Sequence, residues 1–402
     1  MVDKLTMLFN QYLTVQPLFL DRKALQSNYI PNELLHREAQ IEQLGKMVAP
    51  ALRNNKPSNV FVYGKTGTGK THTVQHVAER LIERNKNKSD VHYLYLNCKL
   101  KKIADTEYRL IAQIIRELGH DVPATGLPTQ EIYKIFYTLL DDKSGIFLFV
   151  LDEIDQLVKK IGDEVLYNLT RMNSDLKNTQ IAIIGISNDL VFTSGLDPRV
   201  TSSLCEEKVL FPPYNALQIQ DILRQRAQQA FRENTLAPGV IEKCSAYAAK
   251  EHGDARRALE LLRIAGELAE REGKSKVTLQ DIDAAEEKIE KDIVIESVLT
   301  QTKQFQATLL SIFKLTLQQK KALYTGEIYI VYQSLCAKLG LRPLTQRRIS
   351  DILAELDMLG IINAKVISKG RYGRTKAIEL TLPAQIVNHL MPLLTRELGD
   401  SL

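Results

Sequence analysis

The sequence predicts a three-layer α/β domain on a parallel sheet, followed by an all-α lid and a C-terminal winged-helix domain. Three observations carry this reading. Near-continuous apolar runs recur between helical patterns up to about residue 211. The strand signal then stops, and residues 215–290 are helical in pattern. In the last hundred residues, three helix-like stretches precede two β-like runs.

The strand runs are Asn59–Tyr63, Val91–Leu96, Ile146–Leu151, Ile181–Ile186 and Lys208–Phe211. Runs without polar alternation read as parallel strands buried on both faces. Between them Val74, Val77, Ala78 and Leu81 fall at i, i+3, i+4 and i+7, and Ile111, Ile114, Ile115 and Leu118 repeat the pattern. After Phe211-Pro212-Pro213-Tyr214 come helical patterns through Ile219, Ile222 and Leu223, then 240–249 and 255–269. Pro238, Gly253 and Gly273 punctuate them, and Thr278 to Asp281 opens another helix with a capping-type start. Helices over about 304–318, 325–339 and 345–359 lead to β-like runs at 361–368 and 377–382. The expected domains are therefore 1–211, 212–298 and 299–402.

Composition narrows the class. The 402 residues are 44% hydrophobic and 25% charged, an ordinary globular balance that excludes collagen-like and disordered readings. Cys98, Cys205, Cys244 and Cys336 form no CxxC pair, so neither a zinc ribbon nor a secreted disulfide scaffold is expected. No run approaches the ~20 apolar residues of a membrane span. Asn10 and Gln11 interrupt the N-terminal apolar residues, against a signal peptide. A soluble, cytoplasmic, nucleoid-associated protein with no membrane partner is expected. The net charge of +5 is unevenly spread. Residues 301–402 hold 14 Lys/Arg against 7 Asp/Glu, which points to a polyanion partner for that quarter.

Gly64-Lys65-Thr66-Gly67-Thr68-Gly69-Lys70-Thr71 matches G-x-x-x-x-G-K-[ST] between a strand and a helix. The glycines let backbone N–H groups turn toward phosphate oxygens, and the helix N-terminus adds positive potential. Lys70 is expected on the β/γ-phosphates of ATP or ADP, and the Thr71 hydroxyl on Mg²⁺. Phe147 to Leu151 precedes Asp152-Glu153, with Asp152 expected to hold Mg²⁺ and Glu153 to polarise the attacking water. Asn188, just after the fourth strand, suits orienting that water; taken alone, it reads better as a loop cap. Asp197-Pro198-Arg199 and Gly253-Asp254-Ala255-Arg256 follow.

That order of motifs resembles the AAA+ ATPases. Tyr29-Ile30-Pro31, His36-Arg37-Glu38, Asn97-Cys98, residues 122–127, Phe211-Pro212-Pro213-Tyr214 and His252-Gly253-Asp254-Ala255-Arg256 resemble the archaeal Orc/Cdc replication initiators across essentially the whole chain. The resemblance implies an AAA+ base, a helical lid and a DNA-binding winged helix. It implies double-stranded origin DNA, an MCM-type replicative helicase and other initiator paralogues as partners, with slow ATP hydrolysis used as a switch. It places Tyr29, Ile30 and Arg37 along an adenine pocket that Tyr214 and Ile222 close from the lid. It gives Arg199 to a neighbour's nucleotide as an arginine finger, and Arg256 to the γ-phosphate, with Arg257 as a competitor. Ser202-Ser203-Leu204 stands where many relatives carry a second arginine, so Arg199 is the only local candidate. The alternative function is an ATP-dependent winged-helix regulator without a helicase-loading role.

Two surfaces are expected to meet DNA. In 345–359 the apolar face is Ile349, Ile352, Leu353, Leu356 and Leu359. At ~100° per residue, Arg347, Ser350, Asp351 and Ala354 point away from it, with Arg348 on the flank and Gln346 at the start. Such a helix suits major-groove reading. The wing tip carries Lys369, Arg371, Tyr372, Arg374 and Lys376, a basic set suited to phosphates or a minor groove. The resemblance adds the 119–130 loop as an initiator-specific DNA contact, flanked by Lys99, Lys101, Lys102 and Arg116. His72 and His76 lack a third ligand and read as structural or solvent-facing; Tyr93 and Tyr95 read as core.

Overall fold

The computed structural model describes residues 16–31, 33–85, 91–99, 105–123, 126–204, 207–251, 253–318, 323–368 and 374–399. The chain divides into two compact units, Met1–Ala285 and Glu286–Leu402.

In the first unit the strands are β1 (Val60–Gly64), β2 (Val91–Asn97), β3 (Gly145–Asp152), β4 (Thr179–Ser187) and β5 (Glu207–Phe211). They form one sheet in the order β2-β3-β4-β1-β5, every pairing parallel. Along β3, Phe147, Phe149 and Leu151 enter one core cluster and Ile146, Leu148 and Val150 the other. Both faces are covered, so the strand shows no polar alternation. Gly185 on β4 faces Phe61, whose ring occupies the space a Cβ would need. At the sheet edge, Gln40 and Gln43 on α1 (Glu38–Val48) donate side-chain amides to the carbonyls of Leu210 and Lys208 on β5. This blunts an otherwise open strand edge.

The remaining helices of the base are α2 (Lys70–Asn85), α3 (Glu107–Glu117), α4 (Thr129–Lys143), α5 (Ile154–Ile161), α6 (Glu164–Arg171) and α7 (Pro198–Leu204). The lid is built from α8 (Ala216–Ala230), α9 (Val240–Lys250), α10 (Ala255–Arg271) and the start of α11 (Leu279–Leu299). Asn215 and Gln218 close a reciprocal capping box on α8, which satisfies two otherwise unpaired N–H groups. Residues 16–31 run along this lid. Phe19 bridges to Phe231 and stacks on it with ring centroids 4.5 Å apart. The buried Arg226 guanidinium donates to the carbonyls of Gln26 and Tyr29 and lies 4.3 Å over the Tyr29 ring.

The second unit has α12 (Lys303–Gln318), β6 (Leu323–Tyr324), α13 (Thr325–Leu339), α14 (Gln346–Met358), β7 (Ile362–Ser368), β8 (Arg374–Leu380) and α15 (Ala384–Leu398). The antiparallel order β6-β8-β7 on three helices is a winged helix. Phe305, Phe313, Tyr332, Ile349 and Leu353 fill its core. Two elements escape the sequence pattern. β6 is two residues long, too short to show a period of two. α15 carries Pro392 inside it, which reads as a helix breaker, yet Val387, Leu390 and Leu394 anchor it in the core.

Candidate functional site

The first unit presents a cleft at the C-terminal ends of β1, β3 and β4, the usual ligand position of an open α/β sheet. Thr66 to Thr71, Asp152, Glu153, Asn188 and Arg256 all line it. The Lys70 ammonium donates to the carbonyls of Gly64 (2.8 Å) and Lys65 (2.7 Å) and to Asn188 Oδ1 (2.8 Å). Gly64 and Lys65 thus cradle the lysine and do not line the cleft themselves. Burial, then the nearby Arg256, pushes the Lys70 pKa down to about 8. Thr71 Oγ1 donates to Asp152 Oδ2 at 2.8 Å, and Glu153 N donates to Oδ1 at 2.9 Å. Glu153 sits at φ 56°, a left-handed conformation that costs a non-glycine residue strain and recurs at functional sites. Its carboxylate lies 3.8 Å from Lys99 Nζ.

The residues fit Mg²⁺. Thr71 and Asp152 bring hard oxygen donors together, and among the described residues no trio of His, Cys, Asp or Glu could hold a metal unaided. One carboxylate and one hydroxyl beside a phosphate cradle suit an ion that arrives with nucleotide and keeps several waters.

The lid touches the P-loop directly. Asp254 caps α10 by accepting from the N–H groups of Arg256 and Arg257, and Ala255 N donates to Gly67 O at 3.3 Å. Gly67, at φ +69°, leaves the space that the Asp254 carboxylate fills. Arg257 turns away and pairs with Glu251 at 3.1 Å, so of these two neighbours Arg256 is the one that lines the cleft.

Several expectations change here. Ile30, Tyr214 and Ile222 line the cleft, but Tyr29 and Arg37 do not. Tyr29 is turned to the lid, under Arg226, with its hydroxyl donating to Gln229. Arg37 is buried behind the P-loop. It donates to Thr68 O and Pro212 O, both at 2.8 Å, and stacks 3.7 Å from the Tyr214 ring centroid. His72, expected to be structural or solvent-facing, is half-buried. It lines the cleft, and burial, then Arg256 and Arg226, pushes its imidazole pKa down to about 4. Tyr95, read as core, also lines the cleft, as do Ser27, Gln75 and Asn97. Arg199 stands outside the cleft, 81% exposed and held by both carboxylate oxygens of Asp197.

The second unit carries a separate groove. Gln346, Arg347 and Ser350 of α14 line it with Lys376 of β8 and with Thr325, Val366 and Thr375. The last three carry no charge or motif that marks them in sequence. Arg348 lies off the groove and pairs with Asp351 at 3.3 Å. Arg374 begins β8 opposite Ser368. Lys369, Arg371 and Tyr372 lie outside the described residues, as do Lys101 and Lys102. Arg116 donates to the Val122 carbonyl, so it braces the loop between α3 and α4.

Comparison with known proteins follows the same division. Residues 53–191 match the AAA domain family, 220–287 the Cdc6 AAA+ ATPase-type lid domain, and 296–389 the CDC6 C-terminal winged helix domain. The chain is 51% identical over 409 residues to an ORC1-type DNA replication protein of Pyrococcus horikoshii, covering 99% of this chain and 97% of that one. It is 49% identical over 381 residues to an ORC1-type DNA replication protein 1 of Archaeoglobus fulgidus, covering 94% and 92%. The solved Aeropyrum pernix Orc1 protein in complex with DNA superposes with a TM-score of 0.79 at 42% identity, covering 94% of this chain and 98% of that one. The Cdc6p structure from Pyrobaculum aerophilum, 22% identical with a TM-score of 0.59 over 95% and 99% of the two chains, shares the fold.

Proposed function

The chain belongs to the archaeal ORC1-type (Orc/Cdc) family of DNA replication initiators, and on that premise we propose an ATP-regulated initiator that binds double-stranded origin DNA and helps load an MCM-type helicase, with slow ATP hydrolysis as its switch. The observation that carries the switch is the lid's Arg256 in one cleft with Lys70, Asp152, Glu153 and Asn188. An arginine borne by the lid can report on a γ-phosphate held by the base, which couples hydrolysis to lid position.

In this reading Lys70 exchanges its backbone carbonyl partners for phosphate oxygens. Asn188 and Glu153 hold the attacking water, with Glu153 taking its proton. Thr71 and Asp152 would hold Mg²⁺, which would supply positive charge against the phosphates. Arg199 serves a neighbouring protomer's nucleotide. The lid step gives a first test. Arg256→Ala keeps ATP affinity within a few fold while single-turnover hydrolysis falls by about 10²-fold, the loss typical of one transition-state donor. Wild-type turnover in that variant removes Arg256 from the role and shifts it to Arg257 or eliminates it.

Support for the DNA reading comes from the groove of α14 and β8 and from the 42% identical relative solved with DNA. Base contacts and backbone contacts separate in a salt titration of specific and scrambled duplexes. Arg347→Ala costs about 1–3 kcal/mol on the specific duplex and relaxes preference at one position. An Arg371/Arg374 double alanine weakens both duplexes alike and flattens the salt slope by about one unit per residue. If neither variant weakens duplex binding, the winged helix is a protein-docking module. Footprinting on chromosomal DNA distinguishes origin repeats, as proposed, from the promoter sites of a regulator.

A further inference from the structure

We propose that Tyr95 is a positioning residue of the Mg²⁺ site, its phenol fixing the carboxylate of Asp152 for the metal. This rests on reading Thr71 and Asp152 as that site.

The argument begins with strand geometry. Successive side chains of β2 alternate between faces. Leu94 and Leu96 enter the core cluster on one face, while Tyr93 and Tyr95 pack against the cluster on the other. Asn97 is paired with Asp152 and Tyr95 with Val150, so Tyr95 stands two residues back from the catalytic edge. Only a long side chain spans that gap. The phenol does so, and its hydroxyl donates to Asp152 Oδ2 at 2.7 Å.

That bond completes one oxygen of the carboxylate. An ionised carboxylate offers about four acceptor positions, two per oxygen. Oδ2 takes Thr71 Oγ1 and Tyr95 Oη, and Oδ1 takes Glu153 N. The acceptor position left is on Oδ1. The carboxylate is therefore held against rotation with one oxygen spent on protein donors and the other facing a metal or its water. Hydrogen-bond partners of metal-binding groups typically change metal affinity by about 10–100-fold when lost. Tyr93 is the internal control. It lies on the same strand and face, and its buried hydroxyl has no hydrogen-bond partner among the described residues.

The test measures affinity for a fluorescent ADP analogue on the full chain, in Mg²⁺ and in EDTA. Tyr95→Phe keeps the ring and its packing. The expected result is wild-type affinity in EDTA, with the tightening produced by Mg²⁺ reduced about 10-fold and half-saturating Mg²⁺ raised about 10-fold. Tyr93→Phe matches wild type in both buffers. Retention of the full Mg²⁺ effect in Tyr95→Phe overturns the inference alone. So does an equal fall in both buffers, which is the signature of a packing residue. A wild type without any Mg²⁺ effect overturns the metal reading and this inference with it.

Discussion

Lys70→Ala loses nucleotide binding, and Glu153→Gln keeps ATP bound but does not turn it over. The Lys70 ammonium is buried and already desolvated, held by two P-loop carbonyls and Asn188. A phosphate replaces those partners at little reorganisation cost, which is why the charge counts for more here than in water. Two charge-assisted hydrogen bonds to phosphate are worth about 3–6 kcal/mol together, so affinity falls by about 10²–10⁴-fold. Equilibrium titration with a fluorescent ADP analogue reads that loss. Glu153→Gln alters no phosphate contact, and its amide still fits the constrained backbone at φ 56°. It removes the proton acceptor, a change worth about 10²–10⁴-fold in rate. Single-turnover hydrolysis on pre-bound ATP measures it. Wild-type hydrolysis by Glu153→Gln would show that the attacking water is activated elsewhere.

Arg37→Ala lowers the stability of the first unit, and Arg37→Lys does not restore it. The guanidinium is 2% exposed and joins three segments remote in sequence. Its donors reach Thr68 O in the P-loop, Pro212 O at the base–lid hinge and His36 O, while its plane stacks on Tyr214. Burial lowers its pKa, with Tyr214 acting the other way, so the charge is held against a desolvation cost. Truncation leaves buried carbonyls without donors, at about 1–3 kcal/mol each. A total of about 3 kcal/mol or more is expected, seen as a drop of several degrees in the unfolding midpoint. A lysine ammonium cannot span two divergent carbonyls and stack at once. Measuring at saturating ADP as well as without it separates lost stability from lost ligand linkage. Weaker ADP binding with an unchanged midpoint would return Arg37 to the pocket-lining role that the sequence suggested.

The sequence by itself determined whatever is local or periodic. The P-loop is legible because its eight residues are consecutive and match one motif between a strand and a helix. The central strands β1, β3 and β4 are legible because burial on both faces leaves them almost uniformly apolar. The winged helix shows in helix periods followed by a hairpin; ~100° per residue turns Arg347 and Ser350 away from the apolar face, and Gln346 enters as a residue of the helix start. Tertiary structure decided the rest. Tyr95 and Tyr93 are indistinguishable as strand residues. Only the register of β2 on β3 brings one hydroxyl to Asp152 and leaves the other without a partner among the described residues. Tyr29 and Arg37 sit in the segment that borders the cleft, yet side-chain direction turns one to the lid and buries the other behind the P-loop. Arg256 and Arg257 are neighbours in sequence and part company because successive helix residues point about 100° apart, one into the cleft and one toward Glu251. Spacing along a chain fixes which element a residue occupies, but contacts between separate segments fix what its side chain meets.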